Sequence, residues 1–480
     1  MLTHILHNSE TLCTFIDQLG LDLSQPQQRH LRNLVDALLV CESRKTLAAL
    51  RRQLVEGGDV SNMADYLRIS PWNAPAVRQA VGAWMVRWAI QQAEQVDAPK
   101  RIYVNLDDSI AVKHQQTRPL AGVDWHYDHL ESTKHQPRFK NGLACLVCTV
   151  AAGRLVVTFD VPLYLHERTV RRLNRRRVAG HRIRFVSKPW LARRLLEALR
   201  PLLPAGWEVY VQFDAWYASA RLLKYIHRQG WHTVCGLKSN RKLNGKRLDQ
   251  HASALWHQRY TPVTVTAADG AKTTYLVRAF SGRLEDLAFD VRVFASKRHS
   301  RETHPAYFAS TDFALPATTA LQGYGRRWSC EVVNFDLKLQ LGLADFRVQP
   351  SEAVAKWCVV VQLAWAYVEW RFAQERSAQV RCPADIIRRH REEHQRVWLR
   401  GRCRGHWRSV PSTPCLSASC RQSLKPDCRP SACRRPRVLI AVRSTHGVVL
   451  PAYEAEVSCV KHLFSGFSPE SSYGVNYVAG

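Results

Sequence analysis

The stretch Tyr324-Gly325-Arg326-Arg327-Trp328-Ser329-Cys330-Glu331-Val332-Val333-Asn334-Phe335-Asp336-Leu337-Lys338 decides how the rest of this chain is read. On a helix that turns about 100° per residue, Tyr324, Arg327, Glu331 and Lys338 share a stripe roughly 60° wide. Trp328, Val332, Phe335 and Leu339 form an apolar stripe about 85° away. The expectation is a helix over residues 315–341. Its apolar stripe would pack on a sheet, and its polar stripe would face the carboxylate ends of the strands. One acid between two cations suits a metal–phosphate site, because the carboxylate anchors a cation while Arg and Lys hold phosphate oxygens. The competing reading is an amphipathic helix with ordinary i,i+4 and i,i+7 charges.

Outward from that helix, two β-like runs each end in acid. Residues 102–106 lead into Asp107 and Asp108, and residues 207–213 lead into Asp214. Carboxylates on three elements of an α/β core, Asp108, Asp214 and Glu331, can converge on hard divalent cations. Mg²⁺ takes oxygen ligands and keeps several waters, so a few carboxylates plus a substrate phosphate suffice. Two such ions can activate a nucleophile and stabilise the leaving oxygen of a phosphodiester. Asp107 is an alternative to Asp108, since a central strand is buried on both faces and alternation does not choose. Residues 143–151 and 155–165, joined at Ala152-Gly153-Arg154, read as an antiparallel hairpin. Helices are expected at 187–203, with Ser187 as N-cap, and at 217–228, with a strand at 231–237. Residues 238–313 are β-rich and polar, with a hairpin turn at Asp269-Gly270. Helix returns over 351–375.

The pattern Tyr324-x2-Arg327-x3-Glu331-x6-Lys338 is similar to the YREK signature of bacterial insertion-sequence DDE transposases. Leu106-Asp107-Asp108-Ser109 resembles their first Asp motif, and Val211-Gln212-Phe213-Asp214-Ala215-Trp216-Tyr217 resembles their second. The β-rich stretch between Asp214 and Glu331 resembles the insertion this group places before its catalytic Glu. The resemblance covers about residues 20–395. It implies an α/β fold with a ribonuclease-H-like catalytic core, a β-rich insertion domain and a preceding all-helical domain. It further implies cleavage of transposon ends and their joining to target DNA by Mg²⁺-dependent hydrolysis and strand transfer. By motif match Asp108, Asp214 and Glu331 would bind two Mg²⁺ ions, with Mn²⁺ as a substitute. Arg327 and Lys338 would contact DNA phosphates near the cut, supported by Tyr324. The implied partners are the terminal inverted repeats and the target, both double-stranded DNA, and a second copy of the chain at paired ends. The implied location is the bacterial cytoplasm, at the nucleoid. The alternative is a catalytically inactive or repurposed derivative that only binds DNA.

Composition agrees with a polyanionic partner. The 480 residues carry 69 Lys or Arg against 40 acids, a formal charge of +29, which favours nucleic acid or an anionic membrane. No run of 18 apolar residues suggests a membrane span, and His4, His7, Asn8 and Glu10 disfavour a secretory leader. Domain boundaries are expected at 1–97, 98–237, 238–313, 314–395 and 396–480. Residues 1–97 read as helices, and 62–67 with 74–93 across Ser70-Pro71 are compatible with either a DNA-binding helix-turn-helix or a plain bundle. Residues 381–443 carry 16 Arg or Lys against 4 acids, a net +12, in a Ser/Pro/Cys-rich context with no periodicity. Beyond about Arg396 this resembles either a frame-shifted reading of a GC-rich gene or a basic arm. Seven of the 14 cysteines lie in the last hundred residues. Asp124, His126, Asp128 and His129 look like a polar loop rather than a metal cluster. A strand would turn Cys145 and Cys148 to opposite sides. Cys415, Cys420, Cys428 and Cys433 are spaced too closely at their centre for a zinc ribbon.

Overall fold

β1 (Arg101–Val112) organises the molecule: residues 102–106 are all buried, and the strand runs on through Asp107 and Asp108 to Val112, where the sequence suggested that it would end at the acids. β2 (Asp124–Tyr127), β3 (Phe139–Ala152), β4 (Leu155–Asp160) and β5 (Leu163–Tyr164) follow it in the chain. β3 is buried from Asn141 to Ala152, as a strand covered on both faces must be. The β3–β4 turn is the expected hairpin, with Gly153 at φ +56° supplying the left-handed residue. The computed structural model describes residues 5–408 except 57–58, 118–119, 129–130, 134, 176, 255–258 and 267–270; side chains of 252–254 and 401–408 are also excepted. The Asp269-Gly270 turn, His129 and the chain after Arg408, with its cysteine cluster, lie outside the described residues.

Among the described residues, five helices precede β1: α1 (Glu10–Gln18), α2 (Gln25–Val40), α3 (Leu47–Arg51), α4 (Val60–Arg68) and α5 (Ala74–Gln95). After β5 come α6 (Glu167–Asn174), α7 (Lys188–Leu199), β6 (Glu208–Phe213), α8 (Ala220–Arg228) and β7 (His232–Leu237). The hairpin β8 (Lys242–Leu243) and β9 (Lys246–Arg247) leads through α9 (Leu248–Ala254) into β10 (Thr261–Thr266), β11 (Lys272–Arg283), β12 (Asp290–Lys297) and β13 (Ala306–Ser310). The described chain ends in α10 (Ala317–Gly325), α11 (Trp328–Leu339), α12 (Ser351–Glu375) and α13 (Pro383–Arg408). No helix among the described residues is long and apolar enough to cross a membrane.

The result is a mixed α/β fold around one large sheet, ordered β10-β11-β12-β13-β7-β6-β1-β3-β2, with β4 and β5 also on β3. β1–β6 and β6–β7 are parallel and the other pairs antiparallel. The β-rich segment therefore does not stand apart from the core sheet. β13 pairs antiparallel with β7 and covers an edge that would otherwise expose unpaired backbone groups.

The N-terminal helices also share the core. α5 buries Val77, Val81, Met85, Val86, Ala89 and Ile90, and a Cβ at Gly82 would stand 2.0 Å from the Phe159 carbonyl oxygen. That backbone contact with β4 commits the helix offered as a DNA-reading helix to the interior. Its Arg78 is tied to Asp160 at 3.0 Å. α13 runs unbroken through the boundary expected at residue 396, to Arg408.

Candidate active site

Alternation along β1 sorts its polar side chains between two faces. Asn105, Asp107 and Ser109 face α11. Asn105 Nδ2 donates to Thr149 Oγ1 at 3.1 Å and to Ser329 Oγ at 3.3 Å. Lys338 Nζ donates to Ser109 Oγ. Between these contacts, Arg327 Nη1 donates to Asp107 Oδ2 at 2.5 Å while Nη2 donates to Glu331 Oε1 at 3.0 Å. One guanidinium thus bridges carboxylates from β1 and α11.

Asp108 points to the opposite face. Lys188 Nζ, at the start of α7, donates to Asp108 Oδ2, and Tyr217 Oη donates to Oδ1 at 3.1 Å. Asp214 follows β6, whose Phe213 lies beside Leu106 of β1. Its Oδ1 accepts from the backbone N–H groups of Trp216 at 3.0 Å and Tyr217 at 3.3 Å. This turn sends Tyr217 back over β1. Asp214 lies within electrostatic reach of Asp107, Asp108 and Arg327.

The structure therefore differs from the expectation at the first carboxylate. The acid brought to Glu331 and Arg327 is Asp107; the sequence favoured Asp108, which contributes from the other face. Tyr324, Arg327 and Glu331 lie together and Lys338 reaches Ser109 further along β1, but the four do not share one helix. α10 stops at Gly325, and the turn at Arg326–Arg327 is closed by i→i−3 bonds, among them Arg327 N–H to Tyr324 O at 3.1 Å and Cys330 N–H to Arg327 O at 3.0 Å.

The apolar stripe is also inverted. Phe335 and Leu339 are 57% and 63% exposed, while Cys330, Val333 and Leu337 pack inward. Close approach decides this: Cys330 Sγ reaches the Asn105 carbonyl at 3.5 Å, and Ser329 lies 2.7 Å from Thr149. Small side chains let α11 settle on β1 and β3 where Phe335 would not fit.

Electrostatics mark the site as short of positive charge. Burial pushes the Asp107 carboxyl up to about 6; Arg327 draws it back, and Asp214 and Asp108 push it up again. Asp214 is raised by burial, with Arg327 opposing and Asp108 adding. Glu331 is raised by burial, with Arg327 opposing and Asp107 adding. Hard oxygen donors that resist ionising together are what a divalent cation would relieve, so the donor set fits such an ion. Tyr324 Oη and Arg327 Nε are buried without a hydrogen-bond partner among the described residues. Tyr324 packs against Phe308, with ring centres 4.8 Å apart, and approaches β7 at Gly236. A Cβ there would lie 3.2 Å from its hydroxyl.

Two contributors escaped the sequence reading. Tyr217 was inside the Asp214 motif, but only the turn reveals that its hydroxyl reaches Asp108. Lys188 follows the foreseen N-cap Ser187 and lies over the rings of Tyr164 and Trp216 at 5.3 and 5.2 Å; no local pattern announces a partner 80 residues earlier.

The other clusters do not converge. Asp124 is held by Arg168 at 2.7 and 3.0 Å, and Asp128 pairs with Lys140 at 2.6 Å. His126 stacks on His166 at 4.6 Å. These residues begin the short strand β2 and the turn after it, where the sequence suggested only a loop. Cys145 and Cys148 are both buried as free thiols.

The family described as DDE superfamily endonuclease matches residues 17–278 of this chain, more than half its length. No curated protein matches the sequence. Similar solved structures include the cryo-EM structure of a piggyBac transposase synaptic complex with hairpin DNA. It is 12% identical, with 85% of this chain and 79% of that chain covered and a TM-score of 0.39.

Proposed function

This chain belongs to the DDE superfamily of endonucleases, and from that premise we propose that it is a DNA transposase that cleaves transposon ends and joins them to target DNA. The observation that carries the proposal is that one Arg327 guanidinium bridges Asp107 and Glu331, while Asp214, after the neighbouring strand β6, lies within electrostatic reach of Arg327 and Asp107. The order β4–β3–β1–β6–β7, antiparallel through its first three strands and parallel through its last three, supports reading the core as ribonuclease-H-like. Members of this nuclease family generally use divalent metal ions, and we assign Mg²⁺, with Mn²⁺ as a substitute. In this reading Asp107, Asp214 and Glu331 hold the metals, while Asp108 borders the site.

Bound metal would supply activation of the attacking oxygen and stabilisation of the leaving one. The chain's own residues do the rest. Burial opposes the charge on Arg327, and the carboxylates of Asp107 and Glu331 hold it in place. Arg327 keeps the acids ordered before substrate arrives and would contact a DNA phosphate near the cut. Lys338, on the Ser109 side, would hold a second phosphate oxygen. Tyr324 props Arg327, whose guanidinium lies 5.6 Å from its ring centre. Lys188 and Tyr217 fix Asp108, keeping its charge from turning freely toward the phosphates. The +29 charge would draw duplex DNA to this surface, at the bacterial nucleoid, with two copies meeting at paired ends.

The test is strand cleavage of DNA carrying the element's own terminal repeats, read from the flanking sequence, with Mg²⁺ and with chelator. Metal-dependent cleavage at the repeat boundary, lost in Asp214→Asn, is expected. Binding without cleavage in either Mg²⁺ or Mn²⁺ would refute the enzymatic reading and leave a DNA-binding derivative.

A further inference from the structure

Far along the chain from those carboxylates, α2 carries an acid where its pattern calls for an apolar residue. Asp36 lies among Leu34, Val35, Ala37 and Leu38 and is wholly buried. A buried carboxylate is costly unless it is paired or bound to a metal. Its partners come from α13: His390 Nε2 lies 2.7 Å and His394 Nε2 2.8 Å from the same oxygen, Oδ1. His390 is wholly buried and His394 is 4% exposed. Spacing of i,i+4 puts both imidazoles on one face of α13. Each histidine offers the same nitrogen, and all three atoms lie within 4.8 Å of one another.

We infer that Asp36, His390 and His394 form a binding site for a first-row divalent metal ion such as Zn²⁺, clamping the last described helix to the second. The inference stands independently of the transposase reading. Two imidazole nitrogens and one carboxylate oxygen are a donor set for zinc, whereas Mg²⁺ takes oxygen. The surrounding groups match what ligating residues need. Asp36 Oδ2 accepts from the Ser9 backbone N–H at 2.9 Å, which leaves Oδ1 for the ion. His390 Nδ1 lies 3.3 Å from the Tyr367 hydroxyl, the kind of outer partner that fixes an imidazole with Nε2 free to ligate. Ligands about 2.0–2.1 Å from zinc stand roughly 3.3 Å apart, so the two contacts would open by about 0.5 Å. Side-chain rotation covers that. Without metal, Oδ1 would simply accept two N–H groups, and the experiment must separate these states.

The full-length chain, exposed to Zn²⁺ and dialysed against metal-free buffer, is compared with His394→Gln. Glutamine can keep an N–H toward Asp36 but is a poor zinc ligand. A Glu331→Gln chain controls for metal held by the proposed catalytic carboxylates. Wild type and Glu331→Gln should each retain about one more zinc per chain than His394→Gln. Chelation should lower the wild-type melting temperature toward that of His394→Gln and leave the variant unmoved. Equal zinc in wild type and His394→Gln, or a wild-type melting temperature indifferent to chelation, overturns the inference. Should His394→Gln not fold, zinc-edge X-ray absorption on the wild type decides. A nitrogen and oxygen shell supports the site; a shell of sulfur alone, or no retained zinc, overturns it.

Discussion

Replacing Asp107 by Asn should stabilise the metal-free protein at neutral pH while destroying its function. The Asp107 carboxyl ionises near 6 in the fold and near 3.8 in its ordinary state. Between those values the native chain holds a proton that the unfolded chain releases. Stability therefore falls as pH rises from about 4 to about 6, and the whole penalty is present above that. At about 1.4 kcal/mol per pH unit of separation, the penalty is about 3 kcal/mol. Arg327's attraction is already contained in that figure. The amide introduced by Asp107→Asn stands in for the neutral carboxyl, so a gain of up to about 3 kcal/mol is expected. Urea unfolding in chelator at pH 5 and 7.5 measures it: the midpoint of Asp107→Asn should exceed wild type at 7.5, with a smaller margin at 5. Added Mg²⁺ should raise the wild-type midpoint by mass action and move the variant little. Asp108→Asn should have the opposite sign, because it strands Lys188, whose side chain is 19% exposed, at about 1–2 kcal/mol. If Asp107→Asn is the less stable chain at pH 7.5 and Asp108→Asn the more stable one, the repulsion has been placed on the wrong acid.

Asp214→Asn and Glu331→Gln should abolish cleavage while duplex binding in a gel-shift assay persists; cleavage at the wild-type rate in both would remove the metal-site reading. Arg327→Ala should reduce cleavage about 10–100-fold, or about 1–3 kcal/mol of transition-state stabilisation. It should also push ionisation of Asp107 further up, seen as a shift of the acid limb of the pH–rate profile to higher pH. Lys338→Ala should weaken cleavage over the same range without that shift. DNA affinity should fall steeply with salt, in proportion to the phosphates neutralised; a flat salt dependence would contradict a binding surface drawn from the +29 charge.

The parts of this fold legible in the sequence are those set by local period and turn chemistry. The β3–β4 hairpin announces itself through two apolar runs around Gly153, and α7 begins directly after Ser187, which takes the N-cap position without a side-chain cap bond. The acids within β1 and after β6 are visible because charge interrupts or ends an apolar run. Long-range pairing is another matter. Nothing local indicates that Ser310 pairs with Val234, making the β-rich segment an extension of the core sheet, or that Asp36 meets His390 354 residues later. A helix-turn-helix spacing likewise cannot reveal that α5 presses its backbone against Phe159.

The candidate site was legible in residue type but not in facing. A hydrophobicity stripe assigns the inner face of α11 to Phe335 and Leu339, because it weighs side chains one at a time. The sheet instead selects for fit: over the polar floor of Asn105 and Thr149, a serine and a cysteine allow close helix–strand contact, and their hydroxyl and thiol have partners there. Once Ser329 and Cys330 face down, Glu331 is carried to the edge of the floor. The tightened turn at Arg326–Arg327 places Arg327 between Glu331 and the first acid pointing to that face. Parity along β1 then leaves no freedom: the residue two beyond Asn105 is Asp107, and Asp108 must turn toward Lys188. The choice between adjacent aspartates, open in the sequence, follows from which small residues of α11 touch the sheet. Enlarging Cys330 to Leu should therefore lift α11 and separate Arg327 from Asp107. Cleavage should fall although every charged group remains, and wild-type cleavage in a folded Cys330→Leu chain would break this chain of reasoning at its first link.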